Sequence, residues 1–197
     1  MDSKLILASA SPRRKELLEL LNVNFRVIPS GVQEVFTAHE TPLEHALKFS
    51  RQKALSISIR HPDSWTLGAD TIVVIDGEPL GKPENPAQAR RMLQKLSGRT
   101  HRVITGFAVA RGSEVIANQA VESEVLFKEI AGDEMEWYIG TSEPYDKAGG
   151  YAIQGAGAFL IKEIHGSFTN VIGLPLTQVA DVLKKLGILR FDGFVKS

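Results

Sequence analysis

Arg13 and Arg14 end the run Ser9-Ala10-Ser11-Pro12-Arg13-Arg14, where a short apolar stretch gives way to a helical pattern. Ser11 suits the N-cap of that helix and Pro12 its first position, where a missing N–H removes no hydrogen bond. Unpaired N–H groups at a helix start attract anions, and guanidinium forks match phosphate. Two cations at the positive end of the helix dipole are each disfavoured by roughly a few tenths of a kcal/mol at an exposed site. A bound anion would offset that; the alternative is a pair of solvated surface charges. Asp70 interrupts the apolar run Leu67-Gly68-Ala69-Asp70-Thr71-Ile72-Val73-Val74. A carboxylate inside a buried strand must be paired, metal-bound or protonated, unless it merely ends the strand and bonds a neighbouring loop. Gly68 would let a ligand or another backbone come close.

Lys82 lies in Gly77-Glu78-Pro79-Leu80-Gly81-Lys82-Pro83. This falls one residue short of a phosphate loop between its glycines and has Pro83 where Ser or Thr must hold Mg²⁺. Lys82 could still present its ammonium to a phosphate; alone it reads as a solvated loop lysine. Glu34, in a polar loop, and Lys53, in mid-helix, likewise read as surface charges when taken singly. Gln154 follows Asp146-Lys147-Ala148-Gly149-Gly150-Tyr151-Ala152-Ile153 and precedes Gly155. Its amide offers a donor beside an acceptor, which matches the N3–H and adjacent carbonyl of uracil or thymine. The alternative is a Gly-rich hairpin with a surface glutamine.

The elements that must position these groups can be read from periodicity and caps. Leu5 to Ala8 and Phe25 to Ile28 read as strands, with the Pro12 helix between them. Thr41-Pro42-Leu43-Glu44 has a capping-box pattern and opens a helix to about Ile57. Trp65 to Ile75 reads as a strand turning at Asp76-Gly77. Asn85-Pro86 starts a helix that Ser97-Gly98 ends. Val103 to Ala110 and Ala117 to Phe127 form an antiparallel pair about Arg111-Gly112-Ser113, and Asp133 to Ile139 a short helix. The segment from Gly149 to Ile164 mixes strand residues with glycine, and Pro175 to Leu186 makes a last amphipathic helix. Strands and helices in this order predict one α/β unit with a mixed sheet flanked by helices.

Composition narrows the chemistry. At 197 residues the chain suits one domain, and 43% hydrophobic residues give it a core to bury. Lys plus Arg (23) equals Asp plus Glu (23), so the overall positive field of a nucleic-acid binder is missing and no nucleic-acid partner is expected. With no cysteine, disulfides, thiolate metal sites and Cys nucleophiles are excluded, which fits a reducing compartment. No stretch reaches the roughly 18 apolar residues of a membrane span, and Met1 to Ala10 is too short in its apolar part for a signal peptide. These features predict a soluble cytoplasmic protein with no membrane partner. His39, His45, His61, His101 and His165 show no metal-ligand spacing, and no G-x-S-x-G elbow is present.

The run Leu5 to Arg14 resembles the opening signature of the Maf family of nucleotide pyrophosphatases. Glu34, Lys53-Ala54, Gly68-Ala69-Asp70-Thr71, Gly81-Lys82-Pro83, Leu96-Ser97-Gly98 with His101, and Thr105-Gly106 follow in family order. So do Asp146-Lys147-Ala148-Gly149 with Tyr151 to Gly155, and Asn170-Val171 with Gly173-Leu174-Pro175. The resemblance covers nearly the whole chain. It implies a single Maf/ITPase-like domain over 1–197, an elongated mixed sheet whose two lobes flank a central substrate cleft. It also implies hydrolysis of a nucleoside triphosphate to the monophosphate and pyrophosphate with a divalent cation, Mg²⁺ or Mn²⁺. By the same resemblance Asp70 matches the catalytic proton acceptor, and Arg13, Thr71 and Gln154 match positions of base selection. Arg14, Glu34, Lys53 and Lys82 match other polar positions of the cleft, and the branch implied acts on dTTP and UTP. Chemically, Arg13, Arg14, Lys53 and Lys82 could neutralise a triphosphate while Glu34 and Asp70 hold the metal. Gln33 departs from the pattern, where an acidic residue often precedes the glutamate. Two other readings stay open: a pyrophosphatase clearing modified nucleotides, and a nucleotide-binding regulator of septum formation without turnover. A homodimer is expected by family analogy alone.

Overall fold

The computed structural model describes residues 5–35 and 40–191. The outer ends of the expected 1–197 domain, the first residues of the Met1 to Ala10 stretch and His39 lie outside them. Among the described residues seven strands form one sheet: β1 (Leu5–Leu7), β2 (Phe25–Val27), β3 (Trp65–Ile75), β4 (Glu78–Leu80), β5 (Thr100–Arg111), β6 (Glu114–Phe127) and β7 (Ile161–His165). Their order is β2-β1-β3-β5-β6-β7, with β4 paired to β3 off that path. β1 runs parallel to both β2 and β3, and the other pairings are antiparallel, so the sheet is mixed as expected.

Among the described residues six α-helices accompany it: α1 (Pro12–Glu19), α2 (Pro42–Ser58), α3 (Pro86–Leu96), α4 (Gly132–Ile139), α5 (Phe168–Ile172) and α6 (Leu176–Lys185). Their starts follow local chemistry. Thr41 and Glu44 form a reciprocal capping box on α2, and Asn85 accepts from the Gln88 N–H at the head of α3. α5 is an element the sequence pattern did not signal. Its Ser167 cap and the Gly173 stop at φ +124° enclose barely more than one turn, too short for a periodicity to register.

The segment from Gly149 to Ile164 is a correction. In place of the expected mixture of strand and glycine, Tyr151 to Gly155 runs irregularly between 3-10 turns at Ala148–Gly150 and Ala156–Leu160, after another at Glu143–Asp146, and only from Ile161 does the chain enter β7. Gly149 and Gly150 sit at φ +73° and +71°, which turns the backbone out of extended geometry. Glu143 then holds the next turn by accepting from the Ala156 and Gly157 N–H groups at 2.8 Å each.

Along β3, alternate side chains point to opposite faces. One face is covered by α2: Gly68, Asp70, Ile72 and Val74 stand opposite Ala108, Gly106, Ile104 and Arg102 of β5. A Cβ on Gly68 would lie 2.5 Å from backbone atoms of Ala54 and Ser50, and one on Gly106 would lie 2.3 Å from the Ala46 carbonyl oxygen. The close approach that Gly68 permits is therefore to the α2 backbone. On the other face two separate apolar clusters form. One joins Leu67 and Ala69 to Phe107, Val109, Leu17 and Leu183; the other joins Val73 and Ile75 to Val103, Leu93, Phe127 and Tyr138. Between them on β3 and β5 stand Thr71 and Thr105, directly paired across the strands.

Candidate active site

β1 stops at Leu7, paired with Leu67, while β4 pairs only with Val73 to Ile75. The stretch of β3 between these points has β5 on one edge and an opening on the other. There the strand carries Asp70 and Thr71, side chains of opposite faces, past a cleft of about 520 Å³, within the usual size of a small-ligand site. Arg13, Arg14, Glu34, Lys53, Asp70, Thr71 and Lys82 all line it. The strand, the start of α1, the loop after β2, α2 and the Lys82 loop thus bring together residues spread over the first half of the chain.

Asp70 lies within β3 rather than at a strand end, and it is paired. Its side chain is 4% exposed and accepts from Lys53 Nζ at 2.7 Å; the same ammonium donates to Glu34 Oε1 at 2.5 Å and to the Ala69 carbonyl at 3.3 Å. All three Lys53 protons are thereby engaged. Lys53, expected to neutralise phosphate, instead holds two carboxylates together. Burial pushes the Asp70 carboxyl above its ordinary range, with Lys53 pulling it back and Glu34 pushing it further up. Glu34 moves the other way. Partial burial would raise it, but the charge and hydrogen bond of Lys53, with Arg14 behind, outweigh that and hold it low. One carboxyl is thus tuned toward holding a proton and its neighbour toward charge, the separation expected of an acid–base pair.

Arg14 also differs from expectation. Its Nε donates to the Gly173 carbonyl at 2.9 Å, Nη2 to Thr71 Oγ1 at 3.0 Å and Nη1 to Ser9 Oγ at 3.3 Å. Three of its five donors are used within the protein, two of them tying α1 to β3 and to the loop after α5 and the third reaching back to Ser9, where a solvated or anion-facing arginine would keep them free. Burial lowers its pKa, with Asp70 and Glu34 partly compensating; a guanidinium stays charged regardless. Arg13 and Lys82 are the cations that, among the described residues, line the cleft without a hydrogen-bond or ion-pair partner. Lys82 is exposed, and its loop is held by the Gly149 N–H donating to the Gly81 carbonyl at 3.0 Å. Gln154 is exposed on the turn beside the cleft and is not among the lining residues, whereas Tyr151, Ala152 and Ile153 are.

Beneath the cleft, His101 Nε2 and the Tyr151 hydroxyl lie 2.7 Å apart, and burial lowers His101 to about 4, so it is neutral. Singled-out residues passed over Ser9, which receives the Arg14 fork, and Glu143, which shapes the turn beside the cleft. A signal for the first was present in its company with Ser11. None existed for Glu143, which accepts from the Tyr138 hydroxyl as well as from the backbone N–H groups of Ala156 and Gly157.

Oxygen donors for a hard divalent cation are present. Glu34 and Asp70 already converge on one cationic group, and among the described residues no cluster of three or more His, Cys, Asp or Glu side chains could hold a metal. Two carboxylates completed by substrate phosphate oxygens is the usual habit of Mg²⁺, so these residues fit such an ion. No helix among the described residues is long and apolar enough to cross a membrane.

Residues 4–186 match the family model described as Maf-like protein. A protein of Syntrophus aciditrophicus (strain SB) named dTTP/UTP pyrophosphatase is 56% identical over 194 residues, covering 98% of this chain and 95% of its own. One of the same name from Geotalea uraniireducens (strain Rf4) is 45% identical over 188 residues, covering 95% and 97%. The structure of a HAM1 protein from Coxiella burnetii superposes with a TM-score of 0.52 at 18% identity, over 92% of this chain and 98% of that one, a likeness of fold. With its family model matched almost end to end and such relatives along its whole length, this chain belongs to the Maf family.

Proposed function

We propose that this protein hydrolyses dTTP and UTP to the monophosphate and pyrophosphate by attack of water on the α-phosphorus. The observation that carries the reading is the cleft itself, which a buried carboxyl of raised pKa lines together with two cations that have no hydrogen-bond or ion-pair partner. The names of the relatives supply the substrates. Arg13 and Lys82 bind the polyphosphate, whose roughly four negative charges need fixed donors. Lys53 orients Asp70, and Asp70 Oδ accepts the proton of the attacking water, a task for which an upward-shifted carboxyl is better suited than an ordinary one. Glu34 and Asp70 would hold Mg²⁺ or Mn²⁺, which when bound supplies neutralisation of the developing phosphate charge. Gln154 and Thr71 meet the base, Gln154 by closing over it from its turn. The two lobes are the two apolar clusters on either side of Thr71 and Thr105, within one domain, and the enzyme works in the cytoplasm.

The test is a panel of canonical and modified triphosphates with and without Mg²⁺, analysed for monophosphate plus pyrophosphate against diphosphate plus phosphate. Expected is pyrophosphate from dTTP and UTP, dependent on the cation. Release of inorganic phosphate, or binding without turnover, would refute the reading.

A further inference from the structure

Thr71 and Thr105 break two otherwise apolar rows, Leu67-Ala69-Thr71-Val73 and Val109-Phe107-Thr105-Val103, at the same register position. Their hydrogen bonds have a direction that donor counting fixes. Thr105 Oγ1 lies 3.0 Å from the Asn170 carbonyl, which can only accept, so the single Thr105 proton is committed there. Asn170 is itself immobilised, fully buried with Nδ2 donating to the Val103 carbonyl at 3.0 Å and to Ser123 Oγ at 2.9 Å. Thr71 Oγ1, 3.0 Å from Thr105 Oγ1, is therefore the donor of that contact. It accepts in turn from Arg14 Nη2 at 3.0 Å, a group with no acceptor capacity. The one other acceptor near the Thr71 proton, the Gly173 carbonyl, lies at 3.5 Å and already accepts from Arg14 Nε, too distant to take that proton from Thr105. Thr105 thus holds the Thr71 proton inward, and the remaining lone pair of Thr71 is what a cleft ligand meets.

We infer that Thr105 is a specificity-positioning residue: by holding the Thr71 proton it makes Thr71 an acceptor-only contact that takes the imide N3–H of uracil or thymine and disfavours cytosine. This rests on the pyrimidine triphosphate reading above and deepens it. Phosphate oxygens are acceptors, so an acceptor-only Thr71 is matched to base or sugar, and the polyphosphate falls to Arg13 and Lys82. Between uracil and cytosine, N3 is the ring position at which a donor becomes an acceptor. An acceptor facing a buried acceptor loses its hydrogen bond, an effect of roughly 10- to 100-fold in affinity.

The experiment measures, by calorimetry, the affinities of the α,β-methylene analogues of UTP, dUTP and CTP, which need no turnover, for the wild type, Thr105→Val and Thr105→Ser. Expected is a wild-type preference for the uridine analogue of at least about tenfold. Thr105→Val frees the Thr71 proton to turn outward and should shrink that preference at least about fivefold, chiefly by tightening the cytidine analogue. Thr105→Ser should restore it. Should Thr105→Val melt below the assay temperature, Thr105→Ala removes the same acceptor and replaces it. An unchanged ratio in the folded variant, or a wild type that binds both analogues alike, would overturn the inference. So would a shift confined to ribose against deoxyribose, because the sugar would then be what meets Thr71. Pyrophosphate release is read separately: an intact uridine preference without turnover would sink the proposed hydrolysis and leave this inference standing.

Discussion

Replacing Lys53 by methionine removes the ammonium between Glu34 and Asp70 while keeping most of the side chain's volume. The Lys53 and Asp70 side chains are 8% and 4% exposed, whereas Glu34 is 45% exposed and can turn to water. The loss is therefore dominated by the Asp70 pair. Breaking a buried pair by deleting one partner costs about 3–5 kcal/mol, and Glu34, like other half-exposed ion-pair partners, adds little. For a domain of this size that is a fall in Tm of roughly 6–20 °C. The deficit should depend on pH in one direction. Burial already raises the Asp70 pKa above its unfolded value, so its ionisation opposes folding more as pH rises through the folded-state value. Without Lys53 that value climbs further, and each added unit contributes about 1.4 kcal/mol to the deficit at high pH. Differential scanning fluorimetry of both proteins between about pH 5 and pH 8 should show the two Tm curves converging on acidification and separating above neutrality. A deficit that is the same at every pH, or a variant as stable as the wild type at the alkaline end, would refute the argument that Lys53 compensates a buried charge.

Asp70→Asn should lower kcat for UTP by at least about a hundredfold; near-normal pyrophosphate release would remove Asp70 as the base. Gly68→Ala sets a Cβ 2.5 Å from the backbone of Ala54 and Ser50, so α2 must move. Urea unfolding should report a loss of about 1–3 kcal/mol, with turnover falling because Lys53 moves with the helix; wild-type stability would show that the contact relaxes freely. Gln154→Ala, at an exposed turn, should leave Tm unchanged while raising KM for UTP more than it alters the Mg²⁺ requirement. Unchanged selectivity across the triphosphate panel would take Gln154 out of base recognition.

What the sequence determined by itself was whatever depends on neighbours a few residues away. Ser11-Pro12, Thr41-Pro42-Glu44 and Asn85-Pro86 cap helices through bonds that span three residues, and each helix begins where its cap says. Asp76-Gly77 turns β3 into β4 for the same reason, with both residues at positive φ. The mixed sheet could be read because alternating and helical periodicities lie within each element. The segment from Gly149 to Ile164 misled because apolar residues between glycines look alike whether they pair in a sheet or pack as a turn, and Glu143, which holds the turn at Ala156 and Gly157, lies 13 and 14 residues from them, outside any local pattern. The partners of the charged groups were beyond any local pattern. Lys53 meets Asp70 from 17 residues away, and Arg14 meets the Gly173 carbonyl from 159. Whether a cation faces a ligand or the protein depends on which acceptors surround it once water has been excluded. Only the packing of α2 onto Gly68 and Gly106, and of α1 against the loop after α5, brings those acceptors within reach.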